Sequence, residues 1–146
     1  MNTHDFSCSF RIDGKQWCVG INKNFVDIRC DALSTVAQLD CDGITYDEAE
    51  GYTCGMDMTE YIFRGSNDIT MTINHSVPRE GHPDFDILEE SGSVEVSGNG
   101  HLSRNSIPVV VARAIPLIVK GEYDDVERLG EYDDVERLGA YLISRF

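Results

Sequence analysis

Hydrophobic and polar positions alternate along residues 6–21. Phe6, Cys8, Phe10 and Ile12 interleave with polar residues, Asp13-Gly14 follows, and Trp17, Val19 and Ile21 alternate again. An Asp-Gly pair between two alternating runs predicts a hairpin over 5–21 with a two-residue loop. With that loop, Phe10 faces Trp17, Cys8 faces Val19 and Phe6 faces Ile21. All three apolar pairs share one face, so turn chemistry and pattern agree on the register. The same register puts Cys18 on the other face and disfavours a disulfide with Cys8.

After the Asn22-Lys23-Asn24 turn, Val26, Ile28 and Cys30 predict a third strand. Asp31 reads as the cap of a short helix through Leu33, Val36 and Ala37, spaced i, i+3, i+4. A rival reading makes Ala37, Leu39 and Cys41 a strand that turns at Asp42-Gly43 into Ile44 and Tyr46. Residues 47–55 read as an acidic loop. A second hairpin over 58–74 joins Tyr61 and Phe63 to Ile69, Met71 and Ile73. Residues 76–91, with Pro78 and Pro83, read as a long surface loop. Val94 and Val96 predict a short strand ended by Gly98-Asn99-Gly100.

The period changes in the last third. Residues 107–119 are apolar almost throughout, which predicts a helix buried on all sides. Ser106 would cap it, Pro108 is tolerable in its first turn, and Pro116 should kink or end it. The trio Val109, Val110 and Val111 keeps a strand reading open. Gly121 ends the element.

The nonapeptide Glu-Tyr-Asp-Asp-Val-Glu-Arg-Leu-Gly at 122–130 then recurs letter for letter at 131–139. Nine residues turn a helix by about 180°. Val126 and Val135 therefore share a stripe only if the chain breaks between the copies, and a break costs least at Gly130. The expectation is a tandem duplication, not a solenoid. Its first copy reads as a short turn packed loosely or displaced outward. The second reads as part of a final helix over 133–145, with Val135, Leu138, Tyr141 and Leu142 as its apolar stripe. The pattern as a whole predicts one α+β domain over 1–146. A β-rich 1–100 forms an antiparallel sheet, and the helices of 106–146 pack on one side of it.

Charge sharpens the picture. The chain has 26 Asp and Glu against 12 Lys and Arg, a net charge of −14. One nonapeptide contributes −3, so a single-copy chain would still carry −11 (−14 + 3). Eight carboxylates and no Lys or Arg lie between Asp31 and Glu60, and six and none between Glu80 and Glu95. Such a field repels nucleic acid and anionic lipid and draws basic surfaces; solubility alone is the plain alternative. The expected partner-binding set is Asp47, Glu48 and Glu50 together with both repeats: Tyr123, Asp124, Asp125 and Glu127, then Tyr132, Asp133, Asp134 and Glu136. Carboxylates held on a rigid scaffold can stand in for phosphates, and tyrosines beside them anchor interfaces.

Other chemistry is thinly represented. His75, His82 and Asp84 are weak metal-ligand candidates, without the short spacings of zinc motifs. The acids from Asp40 to Glu50 lack the calcium-loop frame. Cys54 is the one cysteine placed for reactivity, with no cue tying it to a histidine. Nucleophile elbow, Walker loop and dinucleotide fingerprint are absent from the sequence. Catalytic residues, metal and cofactor are accordingly not expected.

The N-terminus lacks a basic segment followed by an apolar stretch, the longest apolar run is too short for a bilayer, and five cysteines suit a reducing compartment. A cytoplasmic protein is expected, with neither membrane nor nucleic acid as a direct partner. The function expected is a small acidic non-enzymatic binding protein, an inhibitor whose negative face docks on a basic, nucleic-acid-handling protein. DNA mimics and anti-CRISPR proteins of phages and mobile elements share this composition, an analogy and no more. The alternative is a structural or assembly subunit of a virion or other oligomer, with 107–119 partly interface. Third comes a small metal- or cysteine-dependent enzyme.

Overall fold

The computed structural model describes residues 6–31 and 34–133. Among the described residues nine strands form two antiparallel meanders, where one sheet was expected. The first sheet runs in chain order through β1 (Phe6–Ile12), β2 (Lys15–Asn22), β3 (Phe25–Cys30) and β4 (Ser34–Asp40). The second does the same through β5 (Thr45–Thr53), β6 (Met56–Arg64), β7 (Thr70–Pro78), β8 (Ser91–Gly98) and β9 (His101–Ile107). Two helices follow, α1 (Val109–Lys120) and α2 (Tyr123–Asp133).

The first hairpin has the expected register, with Phe10 opposite Trp17, Cys8 opposite Val19 and Phe6 opposite Ile21. Asp13 and Gly14 both take positive φ, the mirror-image turn whose twist suits paired strands. The inner face continues through Val26 and Ile28 of β3 to Leu39 and Ala37 of β4. Burial, and then the neighbouring Cys18, push the Cys8 thiol up to about 12, which leaves it inert.

The helix expected after Asp31 is a strand instead. Asp31 adopts φ 56°, donates its N–H to the Gln16 carbonyl at 2.6 Å and accepts the Gln16 N–H on Oδ1. Its side chain thus extends the β2–β3 ladder and does not cap a helix. The turn at Asp42-Gly43 also differs from a hairpin, because β4 and β5 belong to different sheets. The Cys41 and Ile44 amides bind the Asn24 and Lys23 carbonyls, and the Gly43 amide binds Asn24 Oδ1, so this crossover is tied to the β2–β3 turn.

The hairpin expected over 58–74 is present as β6–β7, with Tyr61 opposite Ile73 and Phe63 opposite Met71. Residues 47–55 are not a loop. They extend β5, which turns into β6 through Cys54-Gly55, both at positive φ. A further strand, β9, follows the Asn99-Gly100 turn.

Helix α1 makes contacts with β7 and β8 of the second sheet, with β2 of the first, and with α2. Val110, Val111, Ala112, Ala114, Ile115 and Ile118 are buried, joining the inner faces of both sheets in one apolar cluster. Ser106 does not cap this helix. It belongs to β9, and Pro108 holds the cap position with no side-chain cap bond. Pro116 does not end it either, since α1 continues to Lys120. Gly121 closes it at φ 78°, with the Gly121 and Glu122 amides on the Ile118 and Leu117 carbonyls.

The first nonapeptide is not displaced outward. It forms most of α2, and Val126 is 1% exposed within the core, with Leu129 packed against it. Gly130 lies inside α2 and is no break. The final helix expected over 133–145 falls beyond Asp133, outside the described residues.

One core-adjacent charge is unfavourable. Asp27 is buried on the outer face of β3, its Oδ2 2.6 Å from Arg29 and its Oδ1 without a hydrogen-bond partner among the described residues. Burial raises its pKa above the ordinary aspartate range, against the lowering effect of Arg29. A carboxyl raised in this way stabilises the fold only below its unfolded pKa, and loses that contribution as pH rises through the folded value. Asp27→Asn should therefore stabilise the protein at neutral pH by roughly 1 kcal/mol. The gain should vanish in acid, as read by thermal melts across pH.

Candidate functional site

The inner face of the second sheet extends past the core and becomes acidic. Cross-strand pairing aligns Tyr46, Glu48, Glu50 and Tyr52 of β5 with Phe63, Tyr61, Thr59 and Asp57 of β6. Phe63 and Tyr61 are buried, whereas Glu48, Glu50 and Tyr52 are exposed. The Tyr46 hydroxyl donates to Glu48 at 2.8 Å, and the Tyr46 ring leans on Phe63 with centroids 5.0 Å apart. Burial, and next the hydrogen bond to Glu48, raise the Tyr46 pKa. Burial and the charges of Glu48 and Glu50 raise that of Tyr61. Among the described residues neither Glu48 nor Glu50 is in an ion pair. Asp47 points to the opposite face, 3.6 Å from Arg64.

The sheet's far end is braced by three residues, of which the sequence singled out only His75, and that as a metal-ligand candidate. His75 of β7 lies beside Glu90, with Nε2 to Oε2 at 2.5 Å. Arg113 of α1 holds the same carboxylate at both oxygens, Nε to Oε2 at 2.8 Å and Nη2 to Oε1. All three side chains are half-buried. Burial alone would raise the Glu90 carboxyl, but the bonds and charges of His75 and Arg113 outweigh it and hold it at about 2. This clamp fastens the end of the 79–90 loop to both β7 and α1.

The start of that loop is fastened too. The Arg79 amide binds the Gly55 carbonyl at 2.8 Å, and its guanidinium pairs with Asp57 and lies 3.7 Å over the Tyr52 ring. A Cβ on Gly55 would sit 2.9 Å from both His82 and Leu88, so the β5–β6 turn presses directly on the loop.

The other predicted site residues fall elsewhere. Asp124, Asp125 and Glu127 lie on α2, with Asp124 and Glu127 exposed and Asp125 3.4 Å from Arg128. Tyr123, Tyr132 and Asp133 belong to the α2 backbone, while Asp134 and Glu136 lie outside the described residues. Because α2 runs unbroken through Gly130, residues 124 and 133 sit about half a turn apart around its axis.

A cleft of about 320 Å³ lies between the start of β5 and the end of α1. Ile44, Tyr46, Phe63 and Ile118 line it, with Lys23 and Lys120. Two lysines thus stand where β5 approaches the end of α1.

His75, His82 and Asp84 do not converge as ligands. His75 is engaged by Glu90, and His82 Nδ1 accepts the Asp84 amide at 3.0 Å. Among the described residues, groups of three or more His, Cys, Asp and Glu side chains able to hold a metal are absent. Cys54 is exposed in its tight turn, its sulfur 3.6 Å from the Thr53 hydroxyl. Among the described residues, helices long and apolar enough to cross a membrane are also absent. Comparison with family models, with curated proteins and with solved structures returns no match.

Proposed function

We propose that this chain is a non-enzymatic binding protein whose acidic second-sheet edge docks on a basic protein, one that itself handles nucleic acid. The observation that carries the reading is β5, an edge strand exposing Glu48 and Glu50 without cationic partners among the described residues. Acids on an edge strand also discourage strand-to-strand aggregation, the plainest alternative. The docking reading goes further because the acids continue past the strand onto the 79–90 loop, and because that region is braced. Fixed carboxylates on a stiff frame suit a cationic groove built for phosphates. The assembly alternative has less support: 107–119, its proposed interface, lies largely in the core.

Glu48→Gln combined with Glu50→Gln tests the proposal. Proteins captured from a lysate of the source cell should be displaced by added duplex DNA. The double variant should lose roughly tenfold in capture at low salt and little at high salt, as a screened interaction requires. Capture indifferent to DNA, to salt and to both substitutions would remove the β5 edge from the reading. Asp124→Asn with Asp125→Asn and Glu127→Gln serves as the comparison on α2 and should have the smaller effect.

A further inference from the structure

Five large apolar or aromatic side chains are exposed among the described residues: Tyr52, Val77, Phe85, Ile87 and Leu102. Four of them, all but Leu102, collect at one end of the second sheet. Tyr52 and Val77 flank Asp57 in adjacent strands, in register and on the same face. Phe85 and Ile87 sit in the loop that begins directly after β7, and Ile87 is 77% exposed. Single exposed apolar residues are ordinary, but a cluster of them marks an interaction surface.

The loop is also shaped in advance. Its backbone folds on itself, the Phe85 amide binding the His82 carbonyl at 3.0 Å, and the Ile87 and Leu88 amides both binding the Asp84 carbonyl. Its two ends are held at Gly55 and at the Glu90 clamp. Side chains displayed on a fixed loop lose little entropy when a partner covers them. Around them stand Glu80, Asp84, Asp86 and Glu89, all exposed. Within residues 79–90 the one Lys or Arg is Arg79, and Asp57 pairs with it.

We infer that Phe85 and Ile87 are the apolar anchors of the docking surface, seated in an apolar pocket rimmed by lysine and arginine on a protein partner. This deepens the proposed function and rests on it: the acids steer the encounter, and the two anchors supply the affinity. An apolar centre inside a charged rim is the usual anatomy of such a contact.

A random-peptide display library panned against the intact protein tests the chemistry without a known partner. Enriched peptides should carry bulky apolar residues flanked by Lys or Arg. Their affinity should fall by roughly tenfold on the Phe85→Ala, Ile87→Ala double variant and stay unchanged on Leu102→Ala. Both anchor positions are exposed, so the double variant should melt with the wild type, and its near-ultraviolet dichroism controls for folding.

Peptides that are basic, need Glu48 and Glu50, and bind the double variant normally would overturn the anchors while leaving acidic docking intact. Enriched peptides without basic residues would sink both. A concentration-dependent dimer abolished by the double substitution would assign the patch to a second copy of this chain and overturn the inference.

Discussion

Val126→Ala is expected to destabilise the protein by about 2–3 kcal/mol, because it empties space in a core that cannot fully close around the loss. Val126 is 1% exposed and lies on α2, which packs on α1 and β1. A contrasting result is expected from deleting nine residues. The two nonapeptides are identical, so removing 122–130 or 131–139 yields the same chain. In that chain a valine and a leucine still follow Gly121 at the spacing of Val126 and Leu129. Denaturant unfolding should therefore show the single-copy chain close to the wild type and Val126→Ala well below it. Failure of the single-copy chain to fold would mean that more than one copy anchors the helix.

Glu90→Gln should produce the next largest effect, about 2–3 kcal/mol near neutral pH, somewhat under the cost of breaking a fully buried pair. The substitution leaves Arg113 and His75 half-buried without the carboxylate that both engage. The pH dependence has a definite sign. Glu90 titrates at about 2 in the folded protein against 4.5 for an ordinary glutamate. Its contribution is therefore complete above about 4.5 and is lost as pH falls towards 2. The gap between wild type and variant should narrow across that window. Hydrogen exchange should also accelerate along residues 79–90, since the clamp closes that loop. A gap unchanged down to the lowest pH at which the protein folds would show that the carboxylate charge is not what holds the loop.

The elements legible in the sequence were those where two signals coincide. In the first hairpin, Asp-Gly turn chemistry and alternation gave one register, and in 107–119 hydrophobicity interrupted by Arg113 gave a helix, which spans Val109–Lys120 with one face in the core. Strand β5 was illegible because it outruns the core. Its inward positions beyond Tyr46 are Glu48 and Glu50, so alternation disappears and the acids read as a loop. Strand β9 failed for the same reason, with His101 through Ser106 all exposed, although Asn99-Gly100 is a standard hairpin turn. Asp31 misled because an aspartate before an apolar run suits a helix cap as readily as a left-handed turn.

The repeat misled through Gly130. A glycine costs a helix only about 1 kcal/mol, which burial of Val126 and Leu129 nearby can offset. At the candidate site, Glu48 and Glu50 were visible as acids, whereas their placement on an edge was not. The clamp of His75, Glu90 and Arg113 joins residues far apart in sequence, and periodicity cannot relate them. Phe85 and Ile87 stood in plain view as the apolar pair of an acidic loop, yet an exposed position is legible only once the fold is known.

The central claim is that a stiff acidic edge recognises a basic protein through charge, with no chemistry of its own. Stopped-flow association with the captured partner, measured across ionic strength, tests it most directly. The account predicts an association rate that falls steeply with added salt while the dissociation rate hardly changes, and a shallower slope in the Glu48→Gln, Glu50→Gln variant. An association rate independent of salt, or an equal slope in wild type and variant, would contradict it.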